Sequence, residues 1–174
     1  MKHNQKYIVP FKGLKDGKHV LGIEVGRELF ERFDSTDTGN ARLQVEMELV
    51  KKPTHMEIEM RVSGKIEVVC DRCLEYYYQD IFNTGKLFVR CGETHEEVNE
   101  ELLVLSHDET ELDISQFVYD LAMLGLPMKR QHPLDENRKS LCDPAMVKIL
   151  EELKGKGESA QQDPRWDKLK DLHH

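Results

Sequence analysis

Arg42-Leu43-Gln44-Val45-Glu46-Met47-Glu48-Leu49, followed across Lys51-Lys52-Pro53-Thr54 by Met56-Glu57-Ile58-Glu59-Met60-Arg61-Val62, decides the fold class. Leu43, Val45, Met47 and Leu49 alternate with polar residues, and so do Met56, Ile58, Met60 and Val62. A period of two with one apolar face is the pattern of a strand with core on one side and water on the other. The Lys-Lys-Pro-Thr interruption supplies a turn, so the stretch predicts a β-hairpin. Gly64 interrupts the second strand where a bend or bulge fits. Ile66 and Val68 resume the pattern and deliver the chain to Cys70.

Outward from the hairpin, Leu74 to Tyr78, Lys86 to Arg90 and Leu102 to Leu105 are further strand candidates. Gly13, Gly17 and Gly22 read as turns near strand ends. An antiparallel meander of at least four strands is expected. Gly26 to Phe33 predicts a short helix with Leu29, Phe30 and Phe33 on one face. Asp113, with Gln116 three residues on, has the spacing of a capping box ahead of Ile114, Phe117, Val118, Leu121 and Leu124. Gly125 and Pro127 stop that helix. Asp143-Pro144 places a cap and a first-turn proline before Met146, Val147, Leu150 and Leu153. The fold class expected is therefore α+β: an antiparallel meander with packed helices. We expect one domain over 1–153, then a polar linker and a short helical tail over 154–174, with Trp166, Leu169 and Leu172 at helical spacing.

Charge narrows the functions. The chain of 174 residues carries a formal −8, but 91–120 holds ten acids and no Lys or Arg, leaving +2 for the rest. That argues against a protein coating phosphates over its whole surface, while leaving room for a local basic patch. No apolar run approaches the roughly 20 residues that span a bilayer. The first ten residues turn polar too soon for a signal-peptide core. A cytoplasmic protein is expected, with its four cysteines reduced or metal-bound.

Cys70-Asp71-Arg72-Cys73 falls where one strand ends and the next begins. Two thiolates two residues apart at such a turn offer half a tetrahedron to zinc. A redox pair of the thioredoxin type would open a helix, and here a strand follows. For the second half, His132 and Cys142 bracket a loop between two predicted helices, and Cys91 with His95 is the competing pair. Tyr76-Tyr77-Tyr78 reads in two ways. Alternate tyrosines on a strand form a platform for single-stranded nucleic acid, or Tyr76 and Tyr78 fill the core and leave Tyr77 outside. His107-Asp108 reads as a solvated pair. No phosphate-binding glycine loop, H-E-x-x-H or G-x-S-x-G occurs.

Val69-Cys70-Asp71-Arg72-Cys73-Leu74 resembles the C-x-R-C-L motif of the YceD family, named for accumulation of large-subunit ribosomal RNA. Leu126-Pro127-Met128-Lys129 before His132, and Lys139-Ser140-Leu141-Cys142, are similar to the family's Leu-Pro helix end and the Lys-Gly-Leu-Cys that closes its cysteine loop. Asp163-Pro164-Arg165-Trp166 resembles its Asp-Pro-Arg tail. Two sulfur positions are lost, since Arg138 and Ala145 stand where relatives carry cysteine. The resemblance thus implies Cys70, Cys73, His132 and Cys142 as one closed structural Zn2+ site with no position open to substrate. It also implies a non-enzymatic role in large-ribosomal-subunit biogenesis, with ribosomal RNA or an assembly or processing protein as partner, and with no membrane and no small-molecule substrate. Arg72, Lys129, Arg130, Arg138 and Lys139 are the cations that such a site would gather for RNA. A protein-binding adaptor that contacts no nucleic acid, docking through its Trp166 tail, is the alternative. A zinc hydrolase is disfavoured because no positioned general base accompanies the ligands.

Overall fold

In the computed structural model, which describes residues 5–35, 38–99 and 101–153, the hairpin is the centre of the molecule. After a two-residue strand β1 (Ile8–Val9), β2 (Gly17–Gly26) leads into the short helix α1 (Arg27–Arg32). The hairpin strands are β3 (Thr38–Lys51) and β4 (His55–Val69), and β5 (Tyr76–Gly92) continues the sheet. Then come β6 (Glu96–Asn99), β7 (Leu102–Ser106), β8 (Leu112–Asp113), α2 (Ser115–Leu124) and α3 (Pro144–Leu153). Six strands form one sheet in the order β2-β3-β4-β5-β7-β6, and β1 pairs with β8 apart from it. The fold is α+β with a mostly antiparallel sheet. No helix among the described residues is long and apolar enough to cross a membrane.

The alternation seen in sequence becomes the core. Val45 pairs with Val62, Met47 with Met60, and Leu49 with Ile58, all buried on the face covered by α1, α2 and the N-terminal segment. Leu29 and Phe30 of α1, Val118 and Ala122 of α2, and Tyr7 and Phe11 close over this face. Each fully buried large side chain contributes about 1.5–3 kcal/mol relative to exposure. The opposite face of the sheet mixes charge, with Glu48, Glu59, Arg61 and Lys65, and exposed apolar or aromatic side chains such as Val20, Tyr76 and Phe82.

Several expectations are corrected. The two strand signals around 74–78 and 86–90 are parts of one 17-residue strand, β5. The polar Asn83-Thr84-Gly85 between them looks like a break but serves the packing of α2. Asn83 Nδ2 donates to the Leu121 carbonyl, and a Cβ on Gly85 would lie 2.6 Å from Leu121 Cδ2. The sheet is not a pure meander either: β7 inserts between β5 and β6 and runs parallel to β5. Gly22 is not a turn; it pairs with Glu46 within β2, a strand the sequence reading missed.

Gly64 makes no bulge, for the ladder runs through it. Its φ is +142°, and a Cβ there would lie 2.2 Å from the Arg42 carbonyl oxygen, so glycine is required by close approach of two backbones. The capping box does not form. Asp113 accepts from Ser115 N–H (2.9 Å) and pairs with Arg32 (2.8 Å), while Gln116 donates to Asp120 one turn on. The Asp143 cap does form, accepting from the N–H groups of Ala145 (3.2 Å) and Met146 (3.3 Å). The linker and the Trp166 tail expected over 154–174 lie outside the described residues.

Candidate metal centre

Between β4 and β5 the chain turns within Cys70–Glu75. Leu74 N–H donates to Cys70 O (3.0 Å) and Cys70 N–H to Glu75 O (2.9 Å). Leu74 takes φ +62°, a left-handed conformation that costs energy for a branched residue. The turn buries Cys70 and Cys73 together and leaves Arg72 N–H directed at Cys70 Sγ (3.4 Å).

The second half of the cluster arrives after α2. Asp71 holds it in place by accepting from Arg130 N–H through Oδ2 (2.7 Å) and donating its own N–H to Arg130 O (2.7 Å). His132 stacks on Tyr77 with ring centroids 4.7 Å apart. The loop beyond is a tight return: Leu134 bridges Ser140, and Asp135 Oδ1 accepts from the N–H groups of Asn137 (2.9 Å) and Lys139 (2.7 Å). Arg138 takes the left-handed corner at φ +61°. This return delivers Cys142, buried, one residue ahead of the Asp143 cap.

The four donor atoms of Cys70, Cys73, His132 and Cys142 all lie within 4.8 Å of one another. Cys70 Sγ and Cys142 Sγ are 3.7 Å apart, and Cys73 Sγ is 3.4 Å from His132 Nδ1. A tetrahedral ion with metal–sulfur bonds of about 2.3 Å and a metal–nitrogen bond of about 2.0 Å has edges of about 3.8 and 3.5 Å, which these spacings match. They are too long for a disulfide, and all four cysteines are free.

Electrostatics point the same way. Burial pushes the Cys70 thiol up. The main-chain N–H groups of Cys73, Arg72 and His132, with the His132 side chain, outweigh that and bring it from 9.0 down to about 6. Burial, with the Cys70 and Cys142 sulfurs beside it, holds Cys73 above 9.0 against the N–H groups of Glu75 and Asp143. Several sulfurs crowded out of water cannot all ionise without a cation among them. A divalent soft-ligand ion fits this donor set.

The competing pair, Cys91 and His95, is exposed, and His95 is engaged with Glu109 (3.0 Å). Of the proposed RNA contacts, Lys129, Arg138 and Lys139 are exposed, while Arg72 and Arg130 are half-buried at the turn and its clamp. His107 and Asp108 are exposed. The tyrosines face opposite to the core-filling expectation: Tyr77 is 8% exposed, while Tyr76 and Tyr78 are 65% and 44% exposed on the outer face of β5. Sequence reasoning missed Asp71, whose bonds to Arg130 join the half-sites, and Tyr77, whose ring supports His132. An acid between two ligand cysteines was the available signal for the first.

These features define a class: a small α+β protein in which a Cys/His cluster able to hold a metal ion lies between the sheet and a C-terminal loop. Residues 58–173 match the family described as "Large ribosomal RNA subunit accumulation protein YceD". The chain belongs to the YceD family. No curated protein and no solved structure matches it.

Proposed function

We propose that this protein is a non-enzymatic factor in large-ribosomal-subunit biogenesis whose Cys70, Cys73, His132 and Cys142 hold one structural zinc ion. The observation that carries the reading is the cluster of three sulfurs and one imidazole nitrogen within 4.8 Å of one another, two of its edges having tetrahedral length, drawn from segments about 60 to 70 residues apart in the chain. Four protein ligands leave no open coordination position, so the ion's binding energy serves folding rather than chemistry. The family supplies the biological setting. The knuckle turn and the loop carry Arg72, Lys129, Arg130, Arg138 and Lys139, whose charge would favour a ribosomal RNA backbone. Asp71, Asp135, Glu136 and Asp143 on the same segments offset part of that charge.

Recovery of the protein from cells tests the role. Association with precursor large subunits, lost after ribonuclease treatment, is the expected result. A complex that contains only protein and is insensitive to both ribonuclease and salt would replace this reading with that of an adaptor.

A further inference from the structure

The first twelve residues of β5 present a free edge on the side away from β4. β7 pairs only with Phe88 onward, and among the described residues no strand lies beside residues 76–87. Phe88 N–H donates to Glu101 O on this side (2.7 Å), and Thr84 N–H here is taken up by the Asn83 side chain (2.9 Å). Strand alternation therefore turns the main-chain groups of Phe82 and Lys86 to the same edge. Beneath it lies a groove of about 690 Å³ floored by Phe117, Leu121 and Leu124 of α2. Leu124 is 75% exposed there. An unpaired strand edge over an apolar floor is the arrangement by which an extended segment adds to a sheet.

Charge selects the occupant. Asp120 and Glu101 line the groove, and the one cation among its described lining residues, Lys86, is drawn across the outer face toward Glu59 (3.8 Å). Of the ten acids in 91–120, Asp120 and Glu101 face the groove, whereas Asp113 pairs with Arg32 and Glu109 with His95.

We propose that this groove docks an extended basic segment of a partner protein, added as a strand to β5 in line with β7. The residues of the segment that face α2, every second one, are apolar over Phe117, Leu121 and Leu124, and cations at its ends on that same face meet Asp120 and Glu101. Basic arms of this composition are common on nucleic-acid-binding proteins. The proposal stands apart from the metal cluster and from any RNA contact near it.

A fluorescein-labelled peptide of alternating valine and threonine, with lysine or arginine in place of the end valines, titrated against the full chain, tests it by anisotropy. Two companions are a peptide with glutamate in place of the cations and one N-methylated at alternate amides. The basic peptide should bind roughly tenfold or more tightly than either companion, since each lacks one of the two recognition elements. L124R should weaken it by a similar factor without lowering the melting temperature, because Leu124 is exposed. Amide exchange at Lys86 should slow on binding. No binding, or binding indifferent to N-methylation and to L124R, would overturn the proposal. A shift in emission of Trp166, the single tryptophan, on adding peptide would assign the groove to the chain's own C-terminal segment. Release of a dimer by the peptide would assign it to a second copy. Either result would also overturn the proposal.

Discussion

Asp71 and Asp113 show how much single carboxylates do in this fold. Asp71 exchanges two 2.7 Å hydrogen bonds with the Arg130 backbone, one accepted by its carboxylate and one donated by its own main-chain N–H, and so holds the loop against the turn. D71A should lower metal affinity roughly 10–100-fold, as loss of an outer-shell partner does, with all four ligands retained. Competition with a chelator of known affinity measures it. Burial of Asp113 favours its neutral form, yet Ser115 and the Arg32 guanidinium outweigh that and hold the carboxyl below 3.8. Its stabilisation is complete above that ordinary value and is lost as pH falls through the lower folded one. D113A should therefore cost about 1 kcal/mol near neutrality. Urea melts at a series of pH values should show the deficit shrinking in acid; a deficit constant with pH would refute the assignment. Asp113 was legible as a helix-start residue, but its ion pair with Arg32 was not, because 81 residues separate the two.

At the scale of elements, period-two patterning made β3 and β4 readable because each buries one face only. β2 was obscured because most of its residues are exposed and Gly22 interrupts it, leaving Leu21, Ile23 and Val25 as a short apolar alternation. β5 appeared split because its centre is shaped by α2 rather than by strand propensity. The parallel placement of β7 depends on chain return in space, which no local pattern encodes. Gly64 was legible as unusual, but its reason lies in Arg42 on the neighbouring strand. G64A should destabilise by at least about 2 kcal/mol, since it adds a Cβ against backbone that cannot yield at a positive φ. Thermal denaturation compares it with G13A, where a Cβ would meet nothing within 4 Å and little change is expected.

Over the whole molecule, the cluster ties the end of the central hairpin to the C-terminal third of the chain. Half of it was legible from spacing alone, since Cys70 and Cys73 sit two residues apart at a strand-to-strand turn. His132 and Cys142 were not separable from Cys91 and His95 by spacing, and family resemblance was needed to prefer them. The fold separates the pairs: Cys91 ends β5, while Cys70 precedes its start. Because the proposed ion would join distant segments, C142S should release the metal, lower the melting temperature and speed amide exchange over residues 127–147, whereas C91S should do none of these. The measurement that bears most directly on this account is the zinc content of protein purified without added metal. About one ion per chain is predicted, lost in C70S and C142S. Less than about a tenth of an ion per chain, with none taken up when zinc is supplied, would contradict it.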